Sequence, residues 1–398
     1  MRIAIIGTGV SGLVTAHLLH DRHDTTVFEA QDRIGGHVNT IEIEEQNGQL
    51  RSIDTGFIVY NEANYPLFTK LIGELGVATQ PSNMSFGVRC DRARLEYSSA
   101  NLTSLFAQPK NLFNPGYIRM LRDILRFNRE AVPAIHNGAA SLTLGEYLET
   151  TDLSPRLTKH YLIPMGSALW SIPGGQVLEM PAEFFVRFFE NHGMLTVNDQ
   201  PEWRVIEGGS ARYVEALVAP FRDRVRTSTR VRRVERHHAH VTVDGEMFDH
   251  VVFACHSDQA LSILADPSRA ECEILGALPC QENDVVLHTD TSVLPRSKRA
   301  WASWNYRIGA DTEALATVTY NMNKLQTLDA DPTYCVTLND TASIDPATIL
   351  YRTQMSHPMY TLEGMTAQKR HEEISGYGHT HFCGAYWGFG FHEDGVRS

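Results

Sequence analysis

The chain lacks the patterns that mark several common classes of protein. No run of about 18 apolar residues occurs, so we expect no membrane-spanning helix. The six cysteines form no C-x-x-C pair, which argues against a zinc ribbon or a redox pair and suits a reducing, cytoplasmic setting. Basic residues are in the minority, and the formal net charge of −12 argues against a general nucleic-acid binder. Met1 leads straight into an apolar segment, so we expect no signal peptide.

The composition that remains suits a globular protein with a sizeable core. Hydrophobic residues make up 42% of the 398 residues, enough for two domains or one large interleaved fold. No internal repeat or low-complexity linker is visible between such domains.

The opening segment has the order strand, glycine-rich turn, helix, strand and acidic residue. Residues 2–6 form an apolar run, three glycines follow, and a second apolar stretch ends in Glu29. Gly7 permits a tight turn, Gly9 lets the backbone approach a pyrophosphate, and Gly12 allows close packing of helix on strand. The helix N-terminus offers free N–H groups to phosphates, and a carboxylate at Glu29 can hold ribose hydroxyls. The pattern predicts dinucleotide binding.

Further glycine-rich turns follow other strand-like segments. Gly35 and Gly36 come soon after Glu29, and Gly56 follows a further strand-like segment. In residues 382–395, glycines again follow a strand-like segment. An ordinary turn explains any one of these sites. Their joint occurrence favours a long cofactor such as FAD, lying extended across the domain.

The nucleotide-binding pieces are interrupted by two insertions. Residues 112–193 have helical periodicity, and residues 285–341 alternate strand signals with turns. We therefore predict an α/β fold with a Rossmann-like FAD-binding domain and an interleaved substrate domain of helices and mixed sheet. The predicted FAD-binding domain comprises 1–75, 203–265 and 375–398, and the substrate domain comprises 76–202 and 266–374.

A basic segment within the helical insertion is relevant to membrane binding. Tyr117, Leu121, Ile124 and Leu125 are expected on one apolar helix face, with Arg119, Arg122, Arg126 and Arg129 elsewhere. Such a helix either packs as an ordinary amphipathic helix or lies on an anionic membrane surface. Peripheral membrane contact therefore stays open.

The order of these motifs resembles that of the flavin-containing amine oxidase and phytoene desaturase superfamily. The matching motifs are Gly7-x-Gly9-x-x-Gly12, Glu29-Ala30, Arg33-x-Gly35-Gly36, Asp54-Thr-Gly56, Trp203-Arg204, Gly208-Gly209-Ser210, Tyr320-Asn-Met-Asn323 and Gly384 to Gly395. Within the superfamily, the chain is most similar to a branch of FAD-dependent oxidoreductases found near cyclopropane-fatty-acid synthases. The resemblance covers the whole chain and implies a GR2-type FAD domain. Because no cysteine or histidine lies in a recognised attachment motif, we expect non-covalent FAD.

The resemblance also implies roles for individual residues. Ser11 would lie at the pyrophosphate, Val231 would bracket the adenine through its backbone, and Asp394 would begin a helix that stabilises the reduced flavin. The predicted cofactor-binding set is Gly7, Gly9, Ser11, Gly12, Glu29, Ala30, Gly35, Gly36, His37, Gly56, Val231, Gly384, Glu393, Asp394 and Gly395.

Two features depart from the superfamily pattern. His37 stands where arginine usually follows the paired glycines, which puts a fixed phosphate contact in doubt. The chain also stops at Ser398, three residues after Gly395. The C-terminal helix is then either cut short or absent, and we expect the native protein to need it.

The predicted chemistry belongs mainly to the flavin. FAD accepts hydride, and the protein orients the substrate and excludes water from the site. No catalytic side chain and no metal site is therefore predicted. His237, His238 and His240 are expected on an exposed face, whereas His256 is expected beside the cofactor, with a structural role favoured. The weak candidates for a substrate pocket are Trp170, Phe185, Trp301, Trp304 and Tyr320, and the run Phe184, Phe185, Phe188 and Phe189 lines either the core or an apolar path.

We therefore expect an FAD-dependent oxidoreductase that dehydrogenates a small lipophilic substrate, such as a modified fatty acyl chain. A flavin amine oxidase is the alternative within the oxidoreductases. A non-redox flavin isomerase or mutase, and a flavin-binding protein without turnover, are alternatives from other classes. The electron acceptor is unknown. The expected location is the cytoplasm, or the membrane surface if the basic helix binds lipid.

Overall fold

The computed structural model describes residues 1–196, 200–309 and 315–398. The strands are β1 (Arg2–Ile6), β2 (Asp24–Phe28), β3 (Thr40–Glu44), β4 (Leu50–Asp54), β5 (Val59–Asn61), β6 (Thr79–Pro81), β7 (Phe86–Cys90), β8 (Leu95–Ser98), β9 (Trp203–Ile206), β10 (Val225–Arg226), β11 (Val234–Arg236), β12 (Val241–Val243), β13 (Glu246–Phe248), β14 (His250–Phe253), β15 (Cys280–His288), β16 (Trp304–Ile308), β17 (Val318–Asn321), β18 (Cys335–Leu338), β19 (Ile349–Pro358) and β20 (Thr380–Phe382). The α-helices are α1 (Val10–Leu19), α2 (Pro66–Glu74), α3 (Leu102–Leu105), α4 (Pro115–His136), α5 (Leu144–Glu149), α6 (Pro155–Leu157), α7 (Ile163–Trp170), α8 (Gly174–Glu179), α9 (Ala182–Asn191), α10 (Ala211–Val218), α11 (Ser257–Ile263), α12 (Arg269–Gly276), α13 (Met322–Leu325), α14 (Leu362–Gln368) and α15 (His392–Arg397).

A five-stranded parallel sheet carries the first glycine-rich turn. Its strand order is β10-β2-β1-β14-β20, and all four pairings are parallel. Successive side chains of a strand point to opposite faces. Ile3 and Ile5 therefore join one core with α1 and α10, whereas Ala4 and Ile6 join another with the sheet β11-β12-β13 and α11. Because both faces are covered, β1 reads as a continuous apolar run rather than an alternating one.

A seven-stranded mixed sheet forms the second unit. Its order is β19-β15-β18-β17-β16-β7-β8, with β16 and β7 parallel and the other pairs antiparallel. Strands β7 and β8 form a hairpin. Strand β7 also pairs with β16, which comes about two hundred positions later in the chain, as the pairing of Trp304 with Phe86 shows. The largest core lies between this sheet and the helices α4 to α9.

The predicted apolar face of α4 is only partly correct. Tyr117 is fully buried as expected, but Leu125 is 55% exposed, and the buried stripe continues through Met120 and Phe127 instead. The helix has a side-chain cap at its start, since the Asn114 side chain accepts hydrogen bonds from the amides of Gly116 and Tyr117. Leu125 therefore lies at the exposed edge of the apolar face.

The sequence predicts a solvated strand face for the arginine-rich segment 222–236, but the segment combines exposed and buried side chains. Arg233 pairs with Glu235 at the surface, as expected for a solvated strand face. Arg236 instead pairs with the buried Glu271, so the prediction is wrong there. The strand also begins only at Val234, because the preceding amides at 232 and 233 bond to the Asp244 carboxylate.

The sequence predicts a hairpin turn at Asp244-Gly245 and a helix cap at Thr143, and both predictions are confirmed. Asp244 and Gly245 both have positive φ, at 47° and 87°, and connect β12 to β13 in a tight hairpin. Thr143 and Glu146 form a reciprocal capping box at the start of α5. Among the described residues, no helix combines the length and hydrophobicity that crossing a bilayer requires.

Candidate cofactor and substrate site

In the first glycine-rich turn, neighbouring atoms leave no room for a side chain at Gly7 and Gly12, whereas the space beside Gly9 is open. Gly7 has φ +109°, and a Cβ there would lie 2.7 Å from the Ala254 carbonyl oxygen. A Cβ at Gly12 would lie 2.0 Å from the Gly7 oxygen. At Gly9, by contrast, nothing lies within 4 Å of an added Cβ. Gly9 is also the residue that precedes α1 and offers it no side-chain cap, so the first amides of α1 face a space that an anionic ligand can enter.

The second glycine pair lies directly against the first turn. Gly36 has φ +58°, and an added Cβ there would lie 2.9 Å from the Cα of Gly9. The Arg33 guanidinium holds this turn by donating to the carbonyls of Gly36 at 2.8 Å and Val38 at 2.9 Å. Two glycine-rich backbones thus meet at one point, which is the arrangement the sequence predicts for a pyrophosphate.

Glu29 lies at the carboxyl end of β2, beside the first turn. Its Oε2 accepts hydrogen bonds from the backbone amide and the hydroxyl of Thr8, and its Oε1 accepts from the Gln31 amide at 2.8 Å. An ionised carboxylate has about four acceptor positions. At least one position therefore remains for a ribose hydroxyl. Ala30 is exposed beside it, and Val231 is buried in the neighbouring loop.

The C-terminal segment lies against the same turn. An added Cβ at Gly395 would lie 2.5 Å from the Val10 Cγ1 and 3.1 Å from the Ser11 Oγ. Asp394 caps its own helix by accepting from two amides of the preceding loop. Glu393 accepts from the first amides of α2 at 3.0 to 3.2 Å. Both carboxylates therefore anchor backbone and hold α15 in place.

At two other predicted positions, neighbouring atoms lie too close for any residue but glycine. A Cβ at Gly56 would lie 1.9 Å from the His37 carbonyl oxygen, and one at Gly384 would lie 2.3 Å from the Tyr386 ring. Asp54, which precedes Gly56 by two positions, accepts from the amide and hydroxyl of Ser210 and so ties the Gly208-Gly209 turn to β4. Burial raises the pKa of Asp54 to about 6, although these hydrogen bonds oppose the shift.

An aromatic cluster lies between the helical lobe and the segment that leads into α15. Phe184 stacks on Tyr360 at 4.5 Å and contacts Phe389 at 4.9 Å, and Phe188 stacks on Phe391 at 4.9 Å between ring centroids. We define the aromatic cluster by its members, which are Trp170, Phe184, Phe188, Tyr360, Phe389 and Phe391.

The other pocket candidates fall outside this cluster or at its edge. Phe185 stacks on Phe189 in the core of the helical lobe. Trp304 packs edge-on against Tyr320 at 4.9 Å on the mixed sheet. Trp301 lies under Lys298 and donates to the Pro295 carbonyl at 2.7 Å. Within the described residues no ring contact joins these three sets. The predicted pocket candidates therefore lie in separate places and do not form one pocket lining.

Comparison with known families covers most of the chain. Residues 10–324 match the family described as flavin containing amine oxidoreductase. The chain belongs to the flavin amine oxidoreductase family. Its cofactor is FAD.

Relatives of this flavin amine oxidoreductase are distant in sequence. A Mycobacterium tuberculosis protein named for flavin-containing monoamine oxidase activity, AofH, is 25% identical over 254 residues, which cover 61% of this chain and 53% of that protein. The matched region thus spans about half the length of that curated relative.

Solved structures share the fold over the whole chain. Cyclohexylamine oxidase from Brevibacterium oxydans is 19% identical with a TM-score of 0.66, covering 100% of this chain and 96% of that chain. Putrescine oxidase bound to putrescine is 14% identical with a TM-score of 0.67, covering 100% and 97%. A conjugated-linoleic-acid-producing fatty acid isomerase from P. acnes is 14% identical with a TM-score of 0.69, covering 100% and 96%.

Sequence reasoning missed two parts of the site of this flavin amine oxidoreductase. Tyr360 enters the aromatic cluster from the loop after β19, and His357 on β19 contacts the ring of His37 at 5.4 Å. Neither residue lies in a glycine motif, and each reaches its partner only through the ladder between β15 and β19. A pattern that is local in sequence carries no signal for such contacts.

Proposed function

We propose that this protein uses FAD to dehydrogenate a carbon–carbon bond of a lipophilic acyl substrate. FAD, when bound, supplies hydride acceptance. The Gly7 to Gly12 turn and Ser11 would hold its pyrophosphate, and Glu29 would hold the adenosine ribose. The absence of an attachment motif supports a non-covalent cofactor. The side chains of the aromatic cluster would orient an acyl chain and exclude water from it.

The main support is the apolar character of the cluster that borders the C-terminal segment. An amine substrate would arrive as an ammonium ion and would need a carboxylate or an aromatic face that is open to it. The two carboxylates next to the cluster, Glu393 and Asp394, already accept hydrogen bonds from backbone amides. An acyl chain instead gains roughly 0.8 kcal/mol for each CH₂ that the site buries.

Two buried polar groups, one in the aromatic cluster and one on the mixed sheet, suit an acyl head group. The Tyr360 hydroxyl and the Trp304 Nε1 have no hydrogen-bond partner among the described residues, although both atoms are buried. An unpaired buried donor costs about 1–3 kcal/mol. A substrate carbonyl that accepts from either group would remove this cost, so these donors favour an acyl substrate with a polar end.

Amine oxidation is the second candidate, because three of the compared proteins are named for it. AofH, cyclohexylamine oxidase and putrescine oxidase carry amine-oxidising names. A protein of the same fold is named as a fatty acid isomerase, which supports a lipid substrate and also keeps isomerisation among the alternatives.

Anaerobic incubation with a fatty acyl substrate, followed by mass spectrometry of the product, tests the proposal. Dehydrogenation gives a product lighter by two hydrogen atoms together with loss of the oxidised flavin absorbance. An unchanged mass with a shifted double bond would indicate isomerisation, and no change in either would leave binding without turnover. Tyr360→Phe should raise KM for the acyl substrate, whereas Tyr377→Phe, at an exposed tyrosine, is the matched control.

We further propose that the segment 110–122, which leads into α4 and includes its first turns, contacts an anionic lipid surface. Phe113 is 88% exposed, and Leu112 beside it is also exposed. Lys110 and Arg122 flank them and form no ion pair with the described residues, although Arg119 and Arg126 of the same segment do. Exposed aromatic and aliphatic side chains beside unpaired cations suit the interface of an anionic bilayer, from which a lipophilic substrate would be drawn.

A further inference from the structure

Three partly buried histidines meet beside the two glycine turns. The ring of His37 lies 5.7 Å from that of His256 and 5.4 Å from that of His357, measured between centroids. His37 directly follows Gly36, whose backbone touches Gly9 at the open side of the first turn. His256 follows β14, and His357 lies on β19, so three separate segments supply one imidazole each.

We propose that His37, His256 and His357 form a phosphate-recognition site, in which a protonated imidazole takes the place of an arginine against the FAD pyrophosphate. We call these three residues the histidine cluster. The proposal depends on FAD binding and not on the substrate that the protein oxidises.

Hydrogen bonds leave the cluster with nitrogen atoms for a ligand. The His37 Nε2 lies 2.9 Å from the Ser356 carbonyl oxygen, which can only accept, so this nitrogen carries a proton. The Nδ1 of His37 is therefore the atom that gains a proton when the ring becomes charged. The His357 Nδ1 lies 3.3 Å from the Asn283 side-chain nitrogen, which leaves its Nε2 as the second free position.

The surroundings keep the unliganded cluster neutral. Burial lowers the pKa of His37, and His357, His256 and His392 on α15 lower that pKa further. Burial and His256 lower the pKa of His357 to about 4. Burial also lowers the pKa of His256, although Asp258 on α11 opposes this shift.

Of the titratable side chains nearby that the structure describes, only Asp258 opposes the lowered pKa of a cluster histidine, and it acts on His256. Cys280 on β15 is a neutral thiol, since burial raises its pKa to about 12. Arg33, in the same turn as His37, donates to two backbone carbonyls and holds the loop. Asp258 is exposed. The histidine cluster thus gathers bases around a point where a doubly charged pyrophosphate would stabilise their protonated forms.

This arrangement couples FAD binding to proton uptake. If a pyrophosphate raises the pKa of a cluster histidine, FAD must bind more tightly as the pH falls toward that raised pKa. The dissociation constant should change by up to about tenfold per pH unit for each proton taken up. Riboflavin, which lacks both phosphates, should bind with no such dependence.

The holoenzyme provides the first test, through ³¹P NMR of its bound FAD between pH 5 and pH 8. The pyrophosphate groups do not titrate in this range themselves, so shifts that move with pH in the native protein would report the histidine cluster. His37→Arg should keep FAD bound and leave the ³¹P shifts fixed, because arginine stays charged throughout. His238→Gln, at an exposed histidine, is the matched control and should behave as the native protein.

Calorimetric titration of the flavin-depleted full chain provides the second test. Measured in buffers of different ionisation enthalpy, FAD binding should show net proton uptake that riboflavin lacks and that His37→Arg abolishes. Native ³¹P shifts that do not move, or equal proton uptake with riboflavin, would overturn the proposal. Since His256, Asp258 and Cys280 place their ligand atoms within 4.8 Å of one another, stoichiometric zinc bound there in the purified protein would also overturn it.

Discussion

Gly395 of the last helix lies against Ser11 of the first helix, so closely that a Cβ at Gly395 would stand 3.1 Å from the Ser11 Oγ. The same Cβ would lie 2.5 Å from Val10 Cγ1, so either the Val10 side chain or α15 would have to shift. The contact couples the C-terminal segment to the turn that is expected to hold the FAD pyrophosphate.

We predict that Gly395→Ala displaces α15 from α1 and weakens FAD binding. Overpacking of this kind costs about 1–3 kcal/mol. Fluorescence titration of the flavin measures the affinity, and thermal unfolding measures the stability. Gly276→Ala is the matched control, because nothing lies within 4 Å of its added Cβ and its backbone is helical. Equal FAD affinity in both variants would show that the Gly395 contact is not needed.

We predict that Glu29→Ala weakens FAD binding by about 1–3 kcal/mol, the cost of leaving buried polar partners unpaired. The substitution also releases the Thr8 amide and hydroxyl, so part of the loss would come from the turn itself. Comparing FAD with FMN, which lacks the adenosine, separates the two effects. A loss confined to FAD supports a ribose contact, and unchanged FAD affinity would contradict the assignment.

Acid should destabilise the folded protein through its buried histidines. Burial lowers the pKa of His160, His192 and His288 to about 4. A histidine whose folded pKa is lowered binds fewer protons in the folded state, so its contribution is present above the unfolded pKa near 6.5 and is lost as the pH falls toward 4. Each such group can change the unfolding free energy by up to about 3 kcal/mol.

Denaturant unfolding at several pH values between 7 and 4 measures this loss. His288→Gln removes one buried histidine that contacts the Thr337 hydroxyl at 2.7 Å, and its stability should fall less steeply with pH than that of the native protein. His238→Gln is the control at an exposed histidine. Parallel curves for all three proteins would show that His288 does not contribute.

We predict that Phe113→Ser, combined with Leu112→Ser, reduces sedimentation with vesicles that contain phosphatidylglycerol. The native protein should bind these vesicles more strongly than vesicles of phosphatidylcholine alone, and added salt should weaken the difference. Tyr377→Ser, which removes another exposed aromatic ring, is the control. Equal sedimentation of the native and double-variant proteins would remove the lipid contact from the account.

Local motifs were sufficient to predict the tight glycine turns but not what surrounds them. The spacing of Gly7, Gly9 and Gly12 is a local pattern that is typical of a tight turn between a strand and a helix. A single sequence is therefore enough to recognise it. The contact between His37 and Ser356 joins residues 319 positions apart. Such a contact depends on the register of the ladder between β15 and β19, which a short sequence window does not specify.

Surface and interior were also hard to distinguish on one helix. The apolar residues that periodicity groups on one face of α4 differ in burial, because only part of that face finds a packing partner. Tyr117 is buried because its hydroxyl donates to the Leu105 carbonyl and its ring packs on Phe106. Leu125 lies roughly 80° around the helix from Tyr117, at the edge of that face, and remains exposed.

The most direct test of the central proposal compares two substrates that share one alkyl chain. The native holoenzyme is mixed anaerobically with a fatty acid and, separately, with the primary amine of equal chain length, and the oxidised flavin absorbance is followed. Because both molecules offer the same CH₂ groups to the aromatic cluster, the comparison isolates the reacting group. We predict that the fatty acid, presented free or as an ester, bleaches the flavin and the amine does not. Rapid bleaching by the amine alone would contradict acyl dehydrogenation and establish amine oxidation in its place.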